Sequence, residues 1–232
     1  ILGGDIGARI AVSDQFNFDK CFEVCGTANA MGAAASVGRL MGASHEQLVN
    51  AYGILLHMMA GSFQSLWDGV DTFKLPGALA GYNAVLAVEL AMKGFKGVKD
   101  PLNAPQGYFN LYCHNPQPDN ALIDLGQVFY AKGMHKIHPS CYGVHNPIES
   151  ALEIARNQAY EVADITSVTL EVPPNRIKHF LNQTMAIDDA QPRSLFSIPY
   201  GVANALLRRE VRIEHYTEGF IRDADVIELS AK

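Results

Sequence analysis

Small and apolar residues gather into long blocks along the first half of the chain, separated by glycine-rich or polar breaks. From Asn29 to Met41 nearly every residue is small or apolar, the run from Ala30 reading Ala-Met-Gly-Ala-Ala-Ala-Ser-Val-Gly-Arg-Leu-Met. With no polar face, this block predicts a fully buried helix whose small side chains let neighbours approach closely. Gly42 ends it. Ser44 with Gln47 spells a capping box, in which the hydroxyl accepts a first-turn amide and the glutamine reaches back, so a second helix is predicted from there to about Ala60. Leu75 to Lys93 is again rich in Ala, Leu and Val, with Gly94 and Gly97 as stops and Pro101 and Pro105 beyond them. That pattern predicts a third helix, and three in succession predict a helical bundle.

Asn115 to Asp119 reads Asn-Pro-Gln-Pro-Asp, where two prolines oppose both helix and central strand. The domain boundary is placed there, giving a helical domain over 1–118 and a smaller α+β domain over 119–232. In the second domain Pro147 to Tyr160 is amphipathic and predicts a helix, and Ser197 to Arg208 predicts another. Ser167 to Val172 alternates as Ser-Val-Thr-Leu-Glu-Val, which predicts a half-exposed strand ended by Pro173-Pro174. Val226 to Ser230 also reads as a strand. The predicted fold class is mainly α with a second, α+β part. No period of 20 to 50 residues recurs, so a solenoid is not indicated.

Composition narrows the function classes. A chain of 232 residues, 48% hydrophobic and 18% charged, has ample material for a buried core. Its 18 basic and 24 acidic residues give a formal charge of −6, which offers no broad positive field for a polyanion, so no nucleic-acid partner is expected. Cys21, Cys25, Cys113 and Cys141 are too few for a disulfide scaffold and form no C-x-x-C pair, which favours reduced thiols and a cytoplasmic location. No apolar run approaches the ~20 residues of a membrane span, and the opening Ile1-Leu2-Gly3-Gly4 lacks the features of a signal peptide. No membrane partner is expected. The lack of an initiator Met and the strand-like end predict a fragment cut at both ends.

The densest chemistry runs from His135 to His145, His-Lys-Ile-His-Pro-Ser-Cys-Tyr-Gly-Val-His, crowding three imidazoles, a thiol and an amine into one stretch. Pro139 breaks any helix there, so the group is placed on a loop leading into a helix at Pro147, where catalytic side chains concentrate. The spacing His138-x-x-Cys141-x-x-x-His145 also suits zinc, but a structural site wants four ligands and a catalytic one wants a second shell as well. A purely structural cluster is the other alternative.

Lys136, Pro139, Ser140, Cys141 and His145 match, all five, the pattern Lys-x-x-Pro-Ser-Cys-x-x-x-His, and the chain resembles the MmgE/PrpD family, which includes 2-methylcitrate dehydratase, cis-aconitate decarboxylase and iminodisuccinate epimerase. The resemblance implies that Lys136 lies in the substrate pocket with His145 in support and His138 and Cys141 beside them. In cis-aconitate decarboxylase the position of Cys141 is a histidine, so cysteine argues mildly against that activity. Lys74 resembles a family lysine ahead of an Ala-rich helix that ends in a Gly-Phe-x-Gly turn, here Gly94-Phe95-Lys96-Gly97. Its distance to that turn is one residue short, so either a loop deletion has occurred or Phe73 occupies the lysine's place. Glu23 stands where the family has a pocket histidine; a carboxylate repels an anionic substrate unless it is itself the proton acceptor. The alternative for Lys74 is a solvated charge at a helix entrance.

What the resemblance implies for activity is a cofactor-free lyase, without metal, acting on a small di- or tricarboxylate, dehydration being the favoured reaction. Its pocket is expected between the two domains, and the protein is expected to be a homodimer. The family also draws on an Asp-rich segment and a further histidine upstream of anything in this chain, so these 232 residues alone are expected to be nearly inactive. Two other readings stand beside it: an epimerase or isomerase of a dicarboxylate on the same scaffold, towards which Glu23 leans, and an inactive truncated paralogue keeping scaffold and dimer contacts. His57, on the apolar stretch Ile54 to Met59, is read as a core histidine. His114, His179 and His215 show no partner spacing. Gly3-Gly4-Asp5-Ile6-Gly7 lacks the order of a dinucleotide site, and Ser140 lacks a G-x-S-x-G elbow.

Overall fold

A computed structural model describes residues 1–14, 22–130, 135–173 and 179–232. Cys21 and Pro174, both named in the sequence reading, lie outside the described residues. Along the chain the helices are α1 (Leu2–Val12), α2 (Ala28–Met41), α3 (His45–Leu55), α4 (Gln64–Asp68), α5 (Leu75–Met92), α6 (Tyr108–Tyr112), α7 (Tyr142–Asn157), α8 (Gln191–Leu195), α9 (Ile198–Arg208), α10 (Glu218–Ile221) and α11 (Ala224–Ser230). The protein is mainly α. It divides into two units, one of Ile1–Phe63 with Thr72–Gly133, the other of Gln64–Asp71 with Met134–Lys232.

The first unit is organised around α2, which packs against α1, α3 and α5. Its composition explains its place: Ala28, Ala30, Met31, Gly32, Ala34, Ala35 and Gly38 are all buried. At Gly32 a Cβ atom would stand 2.2 Å from the Gly3 carbonyl oxygen of α1, so the two backbones touch where no side chain fits. Gly42 closes α2 with φ 73, a left-handed conformation natural to glycine. Both halves of the capping box then open α3, Ser44 Oγ accepting from Gln47 N at 3.2 Å and Gln47 Oε1 from Ser44 N at 2.8 Å. The helix ends at Leu55, short of the expected Ala60, because the next amides tighten into a turn: His57 N and Met58 N reach back only three residues, to Ile54 and Leu55. That turn puts His57 on the surface, not in the core as the apolar stretch suggested.

Helix α5 buries Ala80, Ala84, Ala87, Val88 and Ala91 in this core and exposes Leu75, Leu79, Tyr82 and Val85. Contrary to the expectation drawn from composition, Asp71–Met92 is long and apolar enough to cross a bilayer by length and composition. A core helix with an alanine face passes the same test, since alanine counts as apolar on either account.

Arg9 locks residues 121–130 onto α1. Only 2% exposed, it donates from Nε to Asp5 Oδ2 at 2.9 Å and from Nη1 to the carbonyls of Ala121 and Ile123 at 3.0 and 2.8 Å. Nη2 reaches the carbonyls of Asp124 and Val128, and the guanidinium lies 4.5 Å from the Tyr130 ring centre. Asp5 Oδ1 accepts from Tyr130 N at 2.6 Å. The proline-rich segment is tied down as well, His114 N and Asn115 N donating to the Asp14 carboxylate at 3.1 and 3.0 Å.

In the second unit α7 and α9 pack together, with α11 against α9. Val144, Ile148, Ala151, Leu152 and Ala155 give α7 its buried face. Gly201 of α9 lets the helices close: a Cβ there would stand 2.8 Å from Val144 Cγ1. Ser197 caps α9 by accepting from Tyr200 N at 3.1 Å. Arg193 fastens α4, donating to the carbonyls of Trp67 and Asp68 at 3.0 Å each.

Three sequence expectations change here. Helix α7 begins at Tyr142, not at Pro147, which sits inside it; the ring removes one amide near the start of the helix while the remaining turns and the apolar face hold it. Val226–Ser230 is helical, since Asp223 caps it by accepting from Asp225 N and Val226 and Leu229 are buried at helical spacing. The alternating run 167–172 has no ladder among the described residues. Val168 N donates to the Lys232 carbonyl at 3.3 Å, and the β-bridges among the described residues, Asp14 with Pro116 and Phe22 with Ser62, are isolated.

Candidate functional site

Lys136, His138, Ser140, Cys141 and His145 come together at the entrance to α7. Lys136 Nζ donates to the Ser140 carbonyl at 2.9 Å, closing a short loop around Pro139 while the side chain stays exposed to solvent. Cys141 N donates to the Leu195 carbonyl at 2.8 Å, which anchors the loop to α8. Cys141 is also the residue preceding α7, and no side chain caps that helix. An uncapped helix start presents free amides and the positive end of the dipole, so with the Lys136 ammonium beside it the entrance favours an anion.

His138 and His145 are buried, 6% and 4% exposed, and their rings meet edge to face with centres 5.3 Å apart. His138 Nε2 lies 2.7 Å from Glu149 Oε1. Its Nδ1, both ring nitrogens of His145 and the Ser140 hydroxyl are buried with no well-formed hydrogen bond. His145 was expected on a loop; it occupies the first turn of α7, a stiffer mount, with the Tyr142 ring 5.0 Å away. Burial pushes the His145 imidazole below its usual pKa of 6.5, and the charges of His138 and Lys136 push the same way against the carbonyls of Ser140 and His138. A neutral buried imidazole beside an ammonium is suited to accept a proton. Tyr216 stands close by: burial raises its phenol to about 12, partly offset by the Ser140 hydroxyl.

The first unit holds the other two expected residues. Lys74 is the last residue of a 3-10 turn, Asp71–Lys74, directly before α5; it is exposed, with Nζ 5.6 Å from the Phe73 ring centre. Glu23 is half-buried and caps the turn Val24–Gly26, its carboxylate accepting from Cys25 N at 2.6 Å. Glu23 borders Gly61, where a Cβ would stand 3.0 Å from Pro76 Cβ and 3.3 Å from Glu23 Cβ.

Sequence reasoning passed over Glu149 and Tyr216. Glu149 carried a usable signal, being four residues after His145 and so on the same helical face; Tyr216 carried none. Cys141 is a free thiol. Among the described residues no three His, Cys, Asp or Glu side chains are placed to share a metal ion. His114 is exposed, and His179 Nδ1 accepts from Leu181 N at 3.3 Å. A cavity of about 390 Å³ runs along α7 past Tyr142, Asn146, Ser150 and His179, and its lining includes neither Lys136 nor His145.

Two of the buried histidines, His145 and His215, predict an acid-labile fold. Burial is the main cause of the lowered pKa of each. Unfolding restores the ordinary value near 6.5, so below that pH the unfolded chain binds protons the folded chain resists, and stability falls as pH falls. Urea midpoints are expected to hold above pH ~7 and to drop from about pH 6.5 downward, with a shallower drop in His145→Gln. A midpoint that rises on acidification through this range contradicts the assignment.

The MmgE/PrpD N-terminal domain matches residues 1–121, and the MmgE/PrpD C-terminal domain matches residues 138–232, the stretch that begins at His138 and carries Cys141 and His145. No curated protein matches the chain. With two domains of one family matched in order over nearly all of its length, this chain belongs to the MmgE/PrpD family.

Proposed function

We propose that the chain supplies the carboxylate-binding and proton-transfer residues of a lyase that acts on a small di- or tricarboxylate, with dehydration as the reaction and no metal or organic cofactor. The single observation that supports this most is the pairing of an exposed ammonium, Lys136, with a buried imidazole, His145, at an uncapped helix start. Dehydration next to a carboxylate gathers negative charge on that carboxylate as the α-proton leaves. A fixed ammonium stabilises the charge more strongly in the transition state than in the ground state. His145 takes the proton from carbon and gives it to the hydroxyl of the neighbouring carbon, which leaves as water as its C–O bond breaks, while the electron pair of the broken C–H bond forms the new double bond. Lys74 and Glu23 enter the same proposal as further candidate contacts, together with the homodimeric and cytoplasmic state and the α+β character of the second domain that the resemblance implies.

Glu23 supports a second reading. A carboxylate in place of the family's histidine suits an epimerase, in which a proton leaves one face of a carbon and returns to the other. Deuterium entering a dicarboxylate without loss of water distinguishes that outcome from dehydration.

Ligand-dependent stability tests both readings. Anything that binds the folded state raises its stability, by about 2.7 kcal/mol at a ligand concentration a hundred times Kd. Citrate, 2-methylcitrate and aspartate-type dicarboxylates are expected to raise Tm saturably, beyond what sodium chloride of equal ionic strength does. If none does so, the truncated-paralogue reading replaces the proposal.

A further inference from the structure

Glu149 sits one turn beyond His145 on α7, with its side chain 44% exposed and Oε1 2.7 Å from the buried Nε2 of His138. A carboxylate has only acceptors to offer, so Nε2 carries the hydrogen of that bond, and the lone pair of a neutral ring then falls on Nδ1. Nδ1 is buried without a well-formed bond, as are both nitrogens of His145 in the ring alongside. Histidines buried for packing alone have their nitrogens satisfied in most proteins; the carbonyls of Ser140 and His138 reach the His145 ring, which leaves Nδ1 of His138 as the buried nitrogen of the pair that needs an explanation. Among the described residues the charged and titratable neighbours of the pair include Glu149 and Tyr142 on α7, Lys136 on the loop, and Tyr216 beside Ser140.

We infer that Glu149 is a positioning residue that holds His138 as the Nε2–H tautomer, so that the buried Nδ1 of the ring packed on His145 carries a lone pair and not a hydrogen. The inference rests on the Proposed function reading only in taking His145 as the base. Glu149 touches no reacting atom; it acts through His138. Without the carboxylate, His138 exchanges between tautomers and presents a hydrogen on Nδ1 for part of the time, which removes the buried acceptor next to His145.

Long-range proton–nitrogen NMR of the imidazoles tests this on the intact chain without any ligand. His138 signals are assigned by their loss in His138→Gln. With the ring neutral, the wild type is expected to show a pyridine-type Nδ1 and a pyrrole-type Nε2 at His138. Glu149→Gln, whose amide can donate as well as accept, is expected to lose the single-tautomer pattern at His138 and to shift the His145 nitrogens. The control Glu153→Gln, on an exposed position of α7, is expected to shift neither. A hydrogen on Nδ1 of His138 in the wild type overturns the inference even if Glu149→Gln fails to fold, and so does a tautomer unchanged in a folded Glu149→Gln. Failure of every carboxylate to bind leaves the tautomer result standing, and failure of the tautomer result leaves the carboxylate reading standing.

Discussion

Replacing Arg9 by methionine is expected to destabilise the first unit by about 3–5 kcal/mol, the usual cost of removing one partner from a buried ion pair. The magnitude follows from what the guanidinium holds. It is 2% exposed, bonds Asp5 at 2.9 Å and donates to four backbone carbonyls between Ala121 and Val128. Methionine fills much of the volume and returns none of those bonds, and it strips the buried Asp5 of its cation. Because a typical domain is stable by only about 5–15 kcal/mol, the loss is expected to appear as a large drop in urea midpoint. The double substitution Asp5→Leu with Arg9→Met is expected to recover part of it, since the charge left without its cation is then gone as well. A loss below about 1 kcal/mol, within the range of an exposed pair, contradicts the role given to Arg9.

Lys136→Met is expected to weaken binding of a di- or tricarboxylate about 10- to 150-fold, corresponding to the roughly 1.5–3 kcal/mol of a hydrogen bond to a charged group. Calorimetric titration measures it directly, and Lys99→Met, which removes an exposed lysine of the first unit, is the matched control. Lys136→Arg is expected to bind with intermediate affinity, because it keeps the charge but presents a planar fork in place of a compact ammonium. Lys136 also closes the loop onto the Ser140 carbonyl, so the variant's fold must be checked alongside; a lost loop contact alone gives no dependence on the number of carboxylates in the ligand. Equal affinities for the Met variant and the wild type contradict the site.

Much of the helical unit was legible because its signals are local. The capping box at Ser44 and Gln47, the glycine stop at Gly42 and the alanine-rich block before Met92 each act within a turn or two of themselves. The misreadings share a different cause. Pro147 looks like a helix start until α9 supplies a partner for Val144 and Ile148, and Val226–Ser230 looks like a strand until Asp223 caps it and its apolar side chains are buried at helical spacing. Tertiary contacts decide both cases, and neither propensity nor spacing contains them. Arg9 is the extreme case: its four carbonyl partners lie more than a hundred residues away, and its i,i+4 spacing from Asp5 is one that surface ion pairs share. At the candidate site the sequence named the cluster at α7 but not its internal wiring, since the bond from His138 to Glu149 joins a loop to a helical turn whose register begins five residues before the proline that seemed to open it.

The central claim is that Lys136 and His145 together receive one organic acid. Titrating protein labelled with nitrogen-15 in its lysines and histidines with citrate, while following the Lys136 ammonium and His145 imidazole signals, tests it most directly. Both signals are expected to shift saturably with a single Kd, and that shared response is expected to vanish in Lys136→Met. If citrate leaves both signals in place, or moves only exposed lysines such as Lys96 and Lys99 without saturating, the account is contradicted.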